Sequence, residues 1–219
     1  MDFNENISLN IGLYLFAILV TLALLVGTAA DNAPKRPFIK LFIALLADNI
    51  ITLLGETGLW FFGGNLDNLI LLKISEFFAF GGGVVLIVLY SYCLLEFISE
   101  KTNKVHRIMV HINACICGVY FILIIISLFN EMLFGVDENG CYTDGPLYWL
   151  VRVLDIVTML IAMSIVISHH KAPSLRRTLS LLSFSILPVA VQPLLLVWDA
   201  TPLSIATTLF INRRFWQAR

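Results

Sequence analysis

The sequence predicts an all-α membrane protein, a seven-transmembrane-helix bundle with its N-terminus outside the cell and its C-terminus in the cytoplasm. Of the 219 residues 59% are hydrophobic and only 13% are charged, and the mean hydropathy is +0.90. A soluble domain of this composition would expose too much apolar surface. Apolar runs of membrane-spanning length recur along the chain, and basic residues are confined to alternate connections between them.

Seven apolar runs have the length of roughly 20 residues that a helix needs to cross the hydrocarbon core. We place the helices at about 9–30, 38–61, 69–98, 106–129, 147–167, 178–197 and 201–217, all within a single domain of residues 1–219. The seventh run is the shortest. Its helix is expected to begin at Pro202, since proline suits a first turn, and to continue into the cytoplasm through Asn212-Arg213-Arg214.

Lysine and arginine in the short connections set the orientation of the bundle. Twelve of the 14 basic residues fall on one predicted side: Lys35, Arg36, Lys40, Lys101, Lys104, Arg107, Lys171, Arg176, Arg177, Arg213, Arg214 and Arg219. The opposite connections carry only acids. Aromatic residues at the ends of the helices on that acidic side fit an interfacial belt: Trp60, Tyr148, Trp149 and Trp198. The acidic side is therefore predicted to lie outside, and the connection of residues 130–145 is expected to fold over the bundle there.

Small residues and cysteines inside the spans indicate packing rather than chemistry. Gly55, with Gly58 beside it, would let another helix or a ligand approach, and Gly81-Gly82-Gly83 predicts close packing or a bend. Cys93, Cys115 and Cys117 are expected to be small buried hydrophobic residues. Cys141 has no cysteine partner on its side, so neither a disulfide framework nor a metal site is expected.

Ionisable and polar groups at membrane depth are costly and mark candidate functional residues. Helical spacing places several of them on shared faces of predicted helices 2, 3 and 5, and one glutamine lies between two prolines of helix 6. The predicted ligand-binding residues are Asp48, Thr52, Glu56, Lys73, Glu76, Tyr148, Trp149, Arg152, Asp155 and Gln192.

The depth and charge of these residues indicate a ligand class. Five of the charged side chains are expected in one layer about 6–12 Å below the outer surface, whereas Asp48 lies deeper. Four acids face two bases, so a bound cation would complete the charge balance. The prediction is an amine-bearing or zwitterionic small molecule. In the alternative interpretation, Lys73–Glu76 and Arg152–Asp155 are ion pairs within single helices and bind nothing.

Several functional classes lack their sequence signals. No catalytic constellation or cofactor site is present, so the chain is not expected to be an enzyme, and no nucleic-acid partner is expected. The seventh helix lacks the lysine of microbial rhodopsins, and the third lacks the Asp/Glu-Arg-Tyr motif of G-protein-coupled receptors. A small transporter remains the main alternative, because the PVAVQP stretch at residues 188–193 resembles a broken transporter helix.

The segment Gly145-Pro146-Leu147-Tyr148-Trp149-Leu150, with Pro188, Gln192 and Leu209-Phe210-Ile211-Asn212, resembles the N-terminal seven-helix sensor region of bacterial signalling proteins. These are diguanylate cyclases with a GGDEF domain and related sensor histidine kinases. The resemblance implies a multi-pass sensor in a bacterial plasma membrane. Its seventh helix would lead into an output domain after residue 219, across a homodimer formed through the helix 7 extension.

Overall fold

The computed structural model of the chain describes residues 3–30, 37–97, 104–138 and 140–168, without the side chains of residues 3–7, 9 and 168. The sixth and seventh predicted helices, Gln192 and Trp198 lie outside these residues. Within them the chain forms long helices and one short antiparallel hairpin.

The described helices follow one another along the chain as α1 (Phe3–Ala30), α2 (Pro37–Phe62), α3 (Leu69–Phe97), α4 (Lys104–Asn130) and α5 (Tyr148–Ser168). Every predicted boundary of α2 to α5 is confirmed to within two residues. The predicted first span of about 9–30 is confirmed by an apolar span at Asn10–Ala30, although α1 itself begins earlier, at Phe3. The residues of α1 before Asn10 therefore extend the helix beyond its apolar span.

The protein is embedded in a membrane through several passes. Five described helices are long and apolar enough to cross a bilayer. Large apolar side chains point away from the bundle, including Phe129, Ile70 and Phe61 at 84%, 76% and 68% exposure. Such a surface suits contact with lipid rather than water. Cys115 is also exposed on α4, so its prediction as a buried residue was wrong, whereas Cys93 and Cys117 are buried.

Helices α2 and α3 pack closely because small residues line their contact. A Cβ atom added at Gly55 would lie 2.5 Å from the backbone nitrogen of Ala79, and one at Gly82 would collide with the hydroxyl of Thr52. A Cβ at Gly81 would lie 3.2 Å from the ring of Phe121 in α4, which is tight but less severe, whereas Gly83 faces open space. The predicted close packing at these glycines is therefore confirmed for Gly55, Gly81 and Gly82.

Buried polar side chains connect neighbouring helices deeper in the bundle. The Asn49 side chain of α2 donates to the Thr21 hydroxyl of α1 at 3.4 Å. The Asn113 side chain of α4 donates to the Ser91 hydroxyl of α3 at 2.9 Å. Helices α1 and α2 are antiparallel, because Tyr14, which precedes Thr21 in α1, contacts Glu56, which follows Asn49 in α2.

The connection between α4 and α5 forms a hairpin of strands β1 (Phe134–Val136) and β2 (Tyr142–Asp144). The Ser127 hydroxyl near the end of α4 accepts hydrogen bonds from the backbone N–H of Leu133 and of Phe134. The Phe134 ring is buried and stacks on Phe80 of α3 with centroids 4.8 Å apart. The hairpin therefore packs onto the bundle.

The turn of the hairpin is also tied to the connection between α2 and α3. The Gly64 N–H donates to the Gly140 carbonyl at 2.9 Å. Gly140 has a φ of +77°, and a side chain there would meet the backbone of Asn65 and Leu66 at 3.0 Å. We call this end of the bundle, formed by residues 63–68, 131–138 and 140–147, the hairpin end.

Candidate functional site

The candidate site is a layer of charged side chains beneath the hairpin end. Glu56 lies in the last two turns of α2, Lys73 and Glu76 lie in the first turns of α3, and Arg152 and Asp155 lie in the first turns of α5. At 1.5 Å of rise per residue, each is about 6–11 Å from its helix end. Their contacts divide these residues into three groups.

The first group joins α2 to α1. The Tyr14 hydroxyl donates to Glu56 Oε2 at 3.0 Å, and the Tyr14 side chain is buried. The sequence prediction left Glu56 without a partner, because the rotation of α1 against α2 cannot be read from spacing within one helix. The available signal was the tyrosine hydroxyl of Tyr14 at membrane depth in an apolar run.

The second group joins α3 to the end of α4. Lys73 Nζ lies 3.1 Å from Glu131 Oε1 and 3.4 Å from the carbonyl oxygen of Leu128. The alternative in which Lys73 forms an ion pair with Glu76 within α3 is therefore not the observed arrangement. From the sequence, Glu131 is predicted only to lie in the outside connection, and no pattern indicates that it pairs with Lys73.

Glu76 belongs to the same group and is the most deeply buried acid among the described residues, at 1% exposure. Its Oε1 atom has no hydrogen-bond partner in the described part of the chain. Lys73 attracts Glu76 and Glu131 repels it. A buried polar atom without a hydrogen-bond partner lowers stability by roughly 1–3 kcal/mol. Glu76 Oε1 can therefore accept a further hydrogen bond.

The third group joins α5 to the hairpin through tyrosines. The Arg152 guanidinium lies 5.1 Å from the centroid of the Tyr148 ring, and Asp155 lies within its electrostatic reach. The Tyr148 and Tyr142 hydroxyls are hydrogen bonded to each other, and Tyr142 donates to Asp144 Oδ1 at 2.9 Å. Burial, together with the neighbouring Tyr148 and Asp144, raises the pKa of Tyr142.

The other predicted residues lie apart from these three groups. Asp48 is half-buried near the middle of α2, and its Oδ2 atom has no hydrogen-bond partner among the described residues. The Thr52 hydroxyl donates to the backbone carbonyl of Asp48 at 3.0 Å and packs against Gly82. Trp149 is 60% exposed at the start of α5, as a residue of an interfacial belt would be.

The charged layer contains more acids than bases. No set of three or more His, Cys, Asp or Glu side chains suited to a metal occurs in the described ranges. Lys73 is paired with Glu131, so Arg152 is the other base for the three acids of the layer, Glu56, Glu76 and Asp155, and for the deeper Asp48. These four acids face one base, a surplus of three carboxylates, whereas the sequence alone predicts a surplus of two.

Comparison with protein-family models, with curated proteins and with solved structures finds no match to this chain. The membrane fold and the geometry of the charged layer are consequently the basis for assigning a function.

Proposed function

We propose that this chain is a membrane sensor domain that binds a small amine-bearing or zwitterionic ligand from outside the cell. Seven helices would span the plasma membrane of a bacterium, with the N-terminus outside. Helix 7 would pass the signal to a cytoplasmic output domain such as a diguanylate cyclase or a histidine kinase. The observation that carries the proposal is the fully buried Glu76, whose neighbouring lysine is paired with another acid.

The charge balance supports a cationic ligand. A carboxylate at membrane depth is expensive unless a partner neutralises it. Glu56 accepts a hydrogen bond from Tyr14 and Asp155 is attracted by Arg152, whereas Glu76 Oε1 has no hydrogen-bond partner among the described residues. An ammonium group supplies both the charge and the N–H donors that such an oxygen requires.

A receptor requires two arrangements of the bundle that differ in ligand affinity. The hairpin offers an element for such a change, because it contacts α3, α4 and the α2–α3 connection at once. A ligand beneath it would bias the positions of these helices, and the predicted helices 6 and 7 would transmit the shift across a homodimer.

The binding test uses the purified chain in lipid nanodiscs and isothermal titration with a primary amine, a quaternary amine, a zwitterionic amino acid and a carboxylate anion. We expect binding of a compound that carries an ammonium group. The variants Glu76→Gln, Glu56→Gln and Asp155→Asn should weaken it by about tenfold or more, since charge-assisted hydrogen bonds are lost. Glu96→Gln, at the opposite end of α3, is the control and should bind as the wild type does.

Two outcomes count against the proposal. Unchanged affinity for every cationic compound in all three variants would remove the charged layer from ligand binding. Accumulation of a bound, radiolabelled amine inside proteoliposomes would identify a transporter, the alternative that the proline-flanked Gln192 suggests. In the gene, a cyclase or kinase domain encoded after residue 219 is the expected result.

A further inference from the structure

Three basic side chains lie on one exposed face of α4, at the end of the bundle opposite the hairpin end. Lys104, Arg107 and His111 are all exposed. Their spacing of three and four residues places them next to one another on one face of the helix. Neither Lys104 nor Arg107 forms an ion pair within the described residues. This face therefore carries two positive charges that the described part of the chain does not neutralise.

These side chains lie where a membrane-spanning helix meets the lipid headgroups. Helix α4 has 27 residues and is about 40 Å long, which is the thickness of a bilayer together with its headgroup layers. Its first two turns, residues 104–111, therefore reach a headgroup layer. The distribution of basic residues predicts that this is the cytoplasmic side, where the membrane surface carries anionic lipids.

A tyrosine of α3 contacts the His111 ring at this boundary. The Tyr92 hydroxyl lies 3.3 Å from His111 Nδ1. In the tautomer whose Nδ1 accepts this hydrogen bond, Nε2 carries the ring hydrogen and can donate it to another acceptor. One neutral donor then accompanies the two charged ones. A phosphate group matches this set, because it combines negative charge with several acceptor oxygens.

The same face of α4 continues as an apolar surface toward the middle of the helix. Cys115, Gly118 and Ile122 follow His111 at intervals of three or four residues, and all three are exposed. A Cβ added at Gly118 would meet no atom within 4 Å apart from the adjoining backbone of its own helix. An acyl chain can therefore lie along this face. A basic end that continues into an apolar surface favours a phospholipid over a free phosphate ion.

We propose that this face of α4 binds an anionic phospholipid, whose phosphate contacts Lys104, Arg107 and His111 and whose acyl chain lies over Gly118. The two basic residues supply the charge, His111 supplies a neutral donor, and the exposed apolar surface covers the chain. This lipid site lies at the opposite end of the bundle from the charged layer and does not depend on the sensor proposal.

Native mass spectrometry of the purified chain in detergent counts bound lipid molecules directly. Phosphatidylglycerol and phosphatidylcholine with identical acyl chains are titrated separately. We expect the wild type to bind phosphatidylglycerol about twentyfold more tightly, because each basic residue near an anionic headgroup contributes about fivefold. The double variant Lys104→Gln, Arg107→Gln should bind the two lipids alike. Both side chains are exposed, so the variant should keep its fold.

Lys40→Gln is the matched control. Lys40 is an exposed base at the same end of the bundle but on α2, so its loss removes a charge without touching the face of α4. This variant should keep the wild-type preference for phosphatidylglycerol. A phosphatidylglycerol with a photoreactive group in its acyl chain should label the wild type at residues 115–122 of α4.

Four results would overturn the lipid site. They are equal binding of both lipids to the wild type, an unchanged preference in the double variant, an equal loss of preference in Lys40→Gln, and photolabelling confined to other helices. Inorganic phosphate at millimolar concentration should leave phosphatidylglycerol bound. Its displacement by phosphate would mean that the face binds the free ion, which contradicts a site for a lipid.

Discussion

Ser127 shows how one hydroxyl at the end of a membrane-spanning helix fixes the chain that follows. Its Oγ accepts hydrogen bonds from the N–H groups of Leu133 at 2.9 Å and of Phe134 at 3.3 Å. The residue is fully buried, as are both of its partners. The start of β1 therefore depends on this hydroxyl.

Replacing Ser127 by alanine should destabilise the hairpin end by roughly 1–3 kcal/mol, because two buried N–H groups lose their acceptor. Thermal unfolding in detergent measures the loss, and hydrogen exchange should place it at residues 133–134. Cys115→Ala, an exposed substitution on the same helix, should leave both measurements unchanged. Equal stability of Ser127→Ala and the wild type would show that the hydroxyl does not hold the hairpin.

Tyr142 makes the hairpin sensitive to alkaline pH. Burial raises its pKa above the ordinary tyrosine value of about 10. The folded state therefore keeps its proton more strongly than the unfolded state does. The contribution of Tyr142 to stability is complete below the ordinary value and declines as the pH rises above it.

Above that pH, the free energy of unfolding should fall more steeply in the wild type than in Tyr142→Phe, which has no hydroxyl to ionise. Denaturation at a series of alkaline pH values gives the two slopes. Parallel slopes would mean that the Tyr142 hydroxyl ionises as easily in the folded protein as in the unfolded chain.

Among the elements, the α2–α3 pair is the most closely packed contact and depends on residues without side chains. Backbone atoms of Ser75, Phe78 and Ala79 lie 2.5–2.9 Å from the position that a Cβ of residue 55 would take. Backbone cannot move aside without separating the helices. A single methyl group at this position therefore forces the two helices apart.

Gly55→Ala should lower stability by about 1–3 kcal/mol, the usual cost of overpacking. Gly83→Ala is the matched control, since its added Cβ meets no atom within 4 Å apart from the adjoining backbone of its own helix, and alanine favours the helix there. Unfolding of both variants in a mixed-micelle titration gives the comparison. A loss for Gly83→Ala as large as that for Gly55→Ala would contradict steric contact as the cause.

The helices were predictable from the sequence because the hydrocarbon core imposes one length and one polarity on every span. The contacts between helices were not. Lys73 was assigned a possible partner three residues away on its own helix, yet it pairs with Glu131, which lies 58 residues further along the chain. Glu56 likewise accepts a hydrogen bond from a residue of another helix, Tyr14. Such partners depend on how neighbouring helices are rotated and on where each helix ends, and neither can be read from the spacing within one helix.

At the scale of the whole molecule, the hairpin end is predicted to lie outside the cell. In a variant without native cysteines, Asp67→Cys and Glu138→Cys should react with a membrane-impermeant maleimide added to intact cells. Lys104→Cys, at the opposite end of the bundle, should react only after lysis, and all three positions are exposed. The reverse pattern would place the charged layer toward the cytoplasm and contradict a ligand from outside.

The tie between Gly64 and Gly140 also has a practical consequence for handling the protein. The stretch between α4 and α5 is the longest connection in the described part of the chain, and such a stretch usually tolerates an inserted affinity tag. Here the Gly140 carbonyl in the turn accepts a hydrogen bond from Gly64 in the α2–α3 connection. A side chain at residue 140 would meet the backbone of that same connection. A tag inserted at this turn would disturb two helix connections at once.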